Sequence, residues 1–214
     1  TIYNGRHLGM ASYHAMLALD HQMIGVCVTS CPPIVLPTFG AEPRLGTNPI
    51  SVAAPARKQP PFVFDAATSV VASNKIRIAH RLGIKIPSGW LGDSSGNPIM
   101  EPIHPPDNYQ LLPLGSTRDS GSHKGYGLAC IVDILSGILS GTGYGMMPGR
   151  PNFSHMVAAY SIEAFTDVDD FLDLMDDFIL TLKSTPTISD NQQVIVPGHL
   201  EWEIQVHRKK YGIP

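Results

Sequence analysis

The chain has 214 residues, of which 15% are charged, and a formal net charge of −3. That is long enough for one large domain or two small ones around a sizeable core, and the weak charge excludes both a disordered chain and a basic nucleic-acid-binding surface. No run reads as a signal peptide, a targeting segment or a membrane span, and three cysteines at irregular spacing (Cys27, Cys31, Cys130) outline neither a disulfide framework nor a metal site, so the expected setting is a reducing cytoplasm.

Thr1 to Gly9 reads as the end of a short strand and a turn, so the chain starts in mid-element. Ala11 to Gln22 has helical character, with Ala11, Ala15 and Ala18 small enough for close packing. Met23–Thr29 is β-branched and continuous enough for a buried strand, after which Pro32, Pro33 and Pro37 force an irregular path to Gly40. Gly46 to Pro55 is a turn leading into a short strand, and Pro61–Asp65 is another strand that ends on a carboxylate. Thr68 or Ser69 is placed to cap a helix from about Val70 to Arg81, with Lys75, Arg77 and Arg81 on its later turns. Gly83 to Leu114 holds little regular structure, and Asp93 to Pro98 is a turn by composition.

Gly121 to Gly141 is the most distinctive stretch. It opens Gly121-Ser-His-Lys-Gly-Tyr-Gly, and then Leu128, Ile131, Val132, Leu135, Ile138 and Leu139 recur at helical spacing. Apolar nearly all round, this helix is expected to be buried; Asp133 and the bounding glycines argue against a membrane span. Its glycine-rich entry, with free backbone N–H groups and Lys124, suits a phosphate or carboxylate, or is simply a helix start with a solvent-facing lysine. Gly141 to Pro151 reads as a loop and His155 to Tyr160 as a strand. Val168 to Leu182 is an amphipathic helix with Val168, Phe171, Leu172, Met175, Phe178, Ile179 and Leu182 on one face, and Asp167, Asp169 and Asp170 form a solvated first turn rather than a calcium loop. Val194–Gly198 reads as a strand and a turn, and Leu200 to Tyr211 as a last helix. Interleaved strands and helices predict an α/β fold, with residues 1–140 as the core and 141–214 packing on it as one structural unit. Gly-x-Gly-x-x-Gly is missing, so a bound dinucleotide would not rest on a Rossmann fingerprint.

Several stretches, in order, resemble one family. They are Tyr3-Asn-Gly-Arg-His-Leu-Gly-Met-Ala-Ser-Tyr13, Gly46-Thr-Asn-Pro49 through Ala54-Pro55, and Phe64-Asp65-Ala-Ala-Thr-Ser69. Ile86-Pro-Ser-Gly-Trp90, Pro113-Leu-Gly115, Lys124-Gly-Tyr-Gly-Leu128 and Val196-Pro-Gly198 follow. No one of these is specific; their order across nearly the whole chain resembles the type-2 malate/L-lactate dehydrogenase family. The resemblance implies a non-Rossmann mixed β-sheet flanked by helices, a homodimer, and hydride transfer between NAD or NADP and a small 2-hydroxy or 2-oxo acid. A reductase of cyclic 2-imino acids and a non-catalytic dimeric remnant that only binds nucleotide are the alternatives. By the same resemblance His7 is the catalytic candidate, for proton transfer or for orienting the substrate. Cys31, Asp65, Ala66, Ala67, Lys124, Gly198, His199 and Leu200 are cofactor-binding candidates. Thr47 and Asn48 either hold the substrate or shape a turn. Arg6, Arg44 and Arg118 are available for the substrate carboxylate, with no ground for choosing one.

Three departures accompany the resemblance. Family members carry a further segment ahead of the point where this sequence starts, with a His-Gly motif and an arginine. The loop before His155 is shorter than usual, and His199 stands where an acidic or amide residue is common. The chain is therefore expected to be a fragment, a shortened form or a degenerate member.

Overall fold

The computed structural model describes residues 1–147, 149, 153–189 and 192–214. In chain order the elements are β1 (Ile2–Gly5), α1 (Ala11–Met16), β2 (Met23–Ser30), β3 (Ile50–Ala54), β4 (Phe62–Ala66), α2 (Ser73–Leu82), β5 (Leu91–Gly92), β6 (Gln110–Leu111), α3 (Ser122–Asp133), β7 (Phe153–Ser161), α4 (Val168–Lys183) and α5 (His199–Tyr211). Five strands form one sheet in the order β1-β7-β2-β3-β4, and β5 and β6 form a two-stranded antiparallel sheet. β1 runs antiparallel to β7, with Ile2 opposite His155 and Gly5 opposite Phe153, and the register shifts between these pairs. The expected mixed, non-Rossmann α/β fold is the one observed. Among the described residues no helix is long and apolar enough to cross a membrane. The loop expected over Gly141 to Pro151 falls partly outside the described residues.

Two compact units share the chain. The first comprises Thr1–Gly9, Val28–Ile50 and Ala66–Met156. Its core gathers Val35, Leu45, Val71, Ile76, Ala79, Ile86, Leu91, Leu111 and Ala129. α2 begins three residues later than the pattern suggests, at an Ala72 N-cap with no side-chain bond. The expected capping residues are engaged elsewhere. The Thr68 hydroxyl donates to the carbonyls of Thr47 and Asn48, and the Ser69 hydroxyl donates to that of Val71. Gly83 to Leu114 is mostly irregular, as expected, apart from β5 and β6. Asp93 closes its turn by accepting the N–H groups of Ser95 and Asn97, which hold its carboxyl below the usual range.

α3 departs from expectation in a way that matters. Its large apolar side chains are not the buried ones: Leu128, Ile131, Ile134, Ile138 and Leu139 are exposed, while Gly125, Ala129, Val132, Asp133, Ser136 and Gly137 are buried. The buried side is chosen by closeness. A Cβ at residue 125 would sit 2.4 Å from the Leu114 carbonyl oxygen, so only a glycine lets this helix approach that backbone. Beyond Asp133 the helix widens into a π-turn over Ile134–Ile138, where the Ser136 hydroxyl bonds back to the Val132 carbonyl at 2.6 Å.

The second unit comprises Met10–Cys27, Ser51–Asp65 and Val157–Pro214. Helical character over Ala11 to Gln22 divides into α1 and a single 3₁₀ turn at Leu19–His21, ended by Gln22 in the left-handed region. α4 is amphipathic as the pattern predicts, with Leu172 and Ile179 buried, but Phe178 is half exposed and Asp176 is buried instead. The reason is electrostatic: the Asp176 carboxylate accepts the backbone N–H groups of Arg57, Lys58 and Gln59 at 2.9–3.1 Å. Burial pushes its pKa up, and those donors bring it below the usual carboxylate value. Asp167 caps the helix by accepting from the N–H groups of Asp169 and Asp170, and Arg57 pairs with Asp169 and Asp173 on the exposed side. This acidic face is therefore the anchor of the 57–59 loop as well as a solvated surface. Residues 192–196 form no strand; a bond from the Val63 N–H to the Pro197 carbonyl holds that stretch beside β4.

Candidate functional site

Second-unit residues enclose a cavity of about 970 Å³. One wall is β4, with Val63, Phe64 and Asp65; another is the start of α5, with Gly198, Leu200 and Trp202; α1 supplies Ser12, Tyr13 and Met16. Three of the expected cofactor-binding residues, Asp65, Gly198 and Leu200, thus meet here although they lie far apart in sequence. The lining is largely apolar, with a carboxylate set in it, which is the make-up of a small-molecule site. One oxygen of Asp65 accepts the Ser12 N–H at 2.7 Å. Asp65 thereby caps α1, a role different from the local Asp-x-x-Thr turn that its sequence context suggests, and Met10, the helix's own N-cap residue, makes no side-chain bond.

Gly198 is the N-cap of α5 at φ +90°, and a Cβ there would lie 2.8 Å from the Val63 Cβ. Both the left-handed backbone and the close approach call for glycine. His199, next in sequence, does not line the cavity and is buried. Burial lowers its pKa, aided by Lys183 and opposed by the Pro60 backbone and Glu203, so the neutral ring is favoured. Cys27 on β2 is also buried, and burial together with Asp65 pushes its thiol up to about 11, so it is an inert thiol.

The remaining candidates belong to the first unit. His7 follows β1 on an exposed stretch; its Nδ1 accepts the Gly9 N–H at 3.1 Å and its ring meets the edge of Phe153 with centroids 5.9 Å apart. In the neutral ring the proton is then on Nε2, which has no partner among the described residues. Lys124 is exposed in the first turn of α3, and Arg118 donates to His123 Nδ1 at 2.8 Å, so three basic side chains stand at this helix's positive end. Ala66 and Ala67, half buried, follow at the end of β4.

Asn48 is entirely interior. Its amide nitrogen donates to the Ala129 carbonyl and to Asp133, each at 2.9 Å, and its amide oxygen accepts the Cys31 N–H at 2.9 Å. At φ +36° it shapes the turn, and its side chain is committed to internal partners. Thr47 is half buried beside it and its carbonyl accepts from Thr68. Cys31 presents its N–H to Asn48 and its Sγ lies 3.8 Å from the Thr29 carbonyl.

Sequence reasoning did not single out Ser12, Phe64 or Trp202 around the cavity, nor Asp133 and Asp176 as buried anchors. The Ser12–Asp65 bond joins residues 53 apart and the Asp176 bonds span more than a hundred, so no local pattern reports them. A legible signal did exist for Trp202, an aromatic residue four positions beyond the Gly198 turn on a helix otherwise rich in polar residues.

A sequence profile of the malate/L-lactate dehydrogenase family matches residues 1–214. The malate dehydrogenase of Pyrococcus abyssi is 38% identical over 100% of this chain and 60% of its own length. The malate/(S)-sulfolactate dehydrogenase of Methanothermus fervidus is 33% identical over 99% of this chain and 61% of its own. The crystal structure of malate dehydrogenase from Entamoeba histolytica superposes with a TM-score of 0.85 at 32% identity, covering 96% of this chain and 61% of that one. The chain thus spans about three-fifths of the length of the relatives it matches, and it belongs to the malate/L-lactate dehydrogenase family.

Proposed function

We propose that the protein is a nicotinamide-dependent oxidoreductase that moves a hydride between NAD or NADP and a small 2-hydroxy or 2-oxo acid. The observation that carries this reading is the cavity that joins Asp65 to the Gly198 turn, within a chain that belongs to a dehydrogenase family. The residues present fit a nucleotide. Asp65 is an acceptor for ribose hydroxyls or an adenine amine, Val63, Phe64, Leu200 and Trp202 offer apolar faces to a base, and Gly198 leaves backbone open at a helix start. Lys124, at the positive end of α3, is proposed by itself as a phosphate contact, and Cys31, Ala66, Ala67 and His199 are each proposed as cofactor contacts. The nicotinamide supplies or accepts the hydride when bound. The chain's own part is to place the substrate, and His7 Nε2–H is the hydrogen-bond donor the geometry offers to its oxygen.

We further infer a homodimer, supported by the apolar stripe of Leu128, Ile131, Ile134, Ile138 and Leu139 that α3 and its π-turn leave exposed. A cytoplasmic setting accords with the irregular spacing of Cys27, Cys31 and Cys130, which outlines no disulfide framework. Titration with NADH and NADPH, read by nicotinamide fluorescence, followed by a panel of 2-oxo acids and cyclic imines, tests the reading. Cofactor binding with oxidation by a 2-oxo acid is the expected result. A folded protein that binds neither cofactor would refute the assignments of Asp65 and Lys124, and turnover confined to cyclic imines would replace the substrate class.

A further inference from the structure

If His7 presents Nε2–H to a substrate oxygen, something must hold it, because it stands on an exposed stretch between β1 and Gly9. The support comes from His155 on β7, a buried histidine with no part in the chemistry described above. Its Nε2 lies 3.1 Å from the carbonyl oxygen of Arg6, the residue just before His7, and its Nδ1 lies 3.1 Å from the Thr29 hydroxyl on β2. A carbonyl only accepts, so Nε2 carries the proton, and in the neutral ring Nδ1 accepts from Thr29. One imidazole thus ties the strand core to the peptide that carries His7.

The neighbours are arranged around that tie. A Cβ on Gly5 would stand 2.5 Å from His155 Nε2, so the ring reaches Arg6 only because residue 5 has no side chain. Asn4, at φ +55°, lies within the register irregularity of β1, which turns the strand's end. Phe153, two residues before His155 on β7, stacks on His155 at 15° and 6.5 Å and meets the His7 ring edge-on at 68°. The His7 backbone is therefore steadied through Arg6, and its ring through Phe153 and the Gly9 N–H.

We propose that His155 is a positioning residue for His7, setting where its Nε2–H points by holding the Arg6 carbonyl. This rests on the dehydrogenase reading for its catalytic consequence but not for its structural one. The test reads the ring nitrogens of His7 by ¹⁵N NMR together with steady-state kinetics, in wild type, His155→Ala, His155→Gln and Thr29→Val. In wild type His7 shows the Nε2–H tautomer. In His155→Ala that signature is expected to broaden toward a tautomer average, while kcat falls roughly ten- to hundredfold and nicotinamide affinity stays unchanged. Glutamine, whose amide reaches about as far as Nε2, is expected to restore the His7 signature and most of kcat. Thr29→Val is expected to shift the His155 tautomer and lower kcat less than alanine does, and it carries the test if the alanine variant fails to fold. An unchanged His7 spectrum in the folded alanine variant overturns the proposal, as does a glutamine variant that recovers neither readout. Absence of turnover in wild type would count against the dehydrogenase reading alone, since the His7 spectrum still decides the positioning.

Discussion

Asn48→Ala separates a residue that shapes the interior from one that meets substrate. The substitution removes three hydrogen bonds, to Cys31, Ala129 and Asp133, at a side chain with no exposed surface. Each neutral bond contributes about 1 kcal/mol and the one to the carboxyl about 1.5–3 kcal/mol. Alanine also loses the tolerance of asparagine for φ +36°, a cost of about 1–2 kcal/mol. Without relaxation the sum is about 4.5–7 kcal/mol, and partial repacking or entry of water leaves an expected loss of about 3 kcal/mol or more, a large share of a typical 5–15 kcal/mol. For a chain of this size that corresponds to a fall in Tm of roughly 6–12 °C. Urea unfolding and calorimetry measure it, with kcat and KM taken where both proteins are folded. Asn48→Asp is the companion variant. It keeps the size and backbone preference but replaces the amide donor with a second carboxyl facing Asp133, so it should also be less stable than wild type. A loss below about 1 kcal/mol in the alanine variant, accompanied by a collapse in turnover, would refute the interior role and make Asn48 a substrate ligand.

Asp65→Ala should weaken NADH binding about tenfold or more by removing a charge-assisted acceptor, while Asp65→Asn, whose amide oxygen keeps the reach to the Ser12 N–H, should recover α1 stability but not the full affinity; equal affinity in all three by fluorescence titration would remove Asp65 from the site. Asp176→Asn should cost about 1–3 kcal/mol at neutral pH. The folded pKa of Asp176 lies below its unfolded value of 3.8, so wild-type stability from this group is present above that value and is lost as pH falls through the folded pKa. The stability gap between wild type and asparagine should therefore narrow in acid, and a gap independent of pH in urea titrations would contradict the assignment. His199 also has a lowered folded pKa, so the unfolded chain binds protons first below 6.5 and stability falls as pH drops through that region; His199→Leu should flatten this slope in calorimetric scans, and an unchanged slope would place its source elsewhere. Ile131→Lys and Ile138→Lys should shift sedimentation toward the monomer without unfolding the chain, and a dimer that survives both would move the self-association surface off α3.

How far these features could be read in advance depended on what kind of physics made them. Strand β2, strand β4 and helix α4 were legible because β-branched runs and the 3.6-residue apolar period are local properties. The ordered motifs from Tyr3 to Gly198 were legible too, since turns that need glycine or asparagine announce themselves. The burial of α3 was not. Its large apolar side chains suggested burial all round, but close approach at Gly125 selected the small-residue face and left Leu128, Ile131 and Ile138 outside. Nor did sequence distinguish Asn48 the turn-builder from Asn48 the substrate ligand, or show that Asp65 caps α1, because each answer depends on a donor or acceptor distant in the chain. Composition and periodicity determined the class of the fold and most of its elements. Tertiary structure alone decided which polar groups were spent on internal hydrogen bonds and which were left facing a cavity, since a buried donor or acceptor finds its partner in space rather than in sequence.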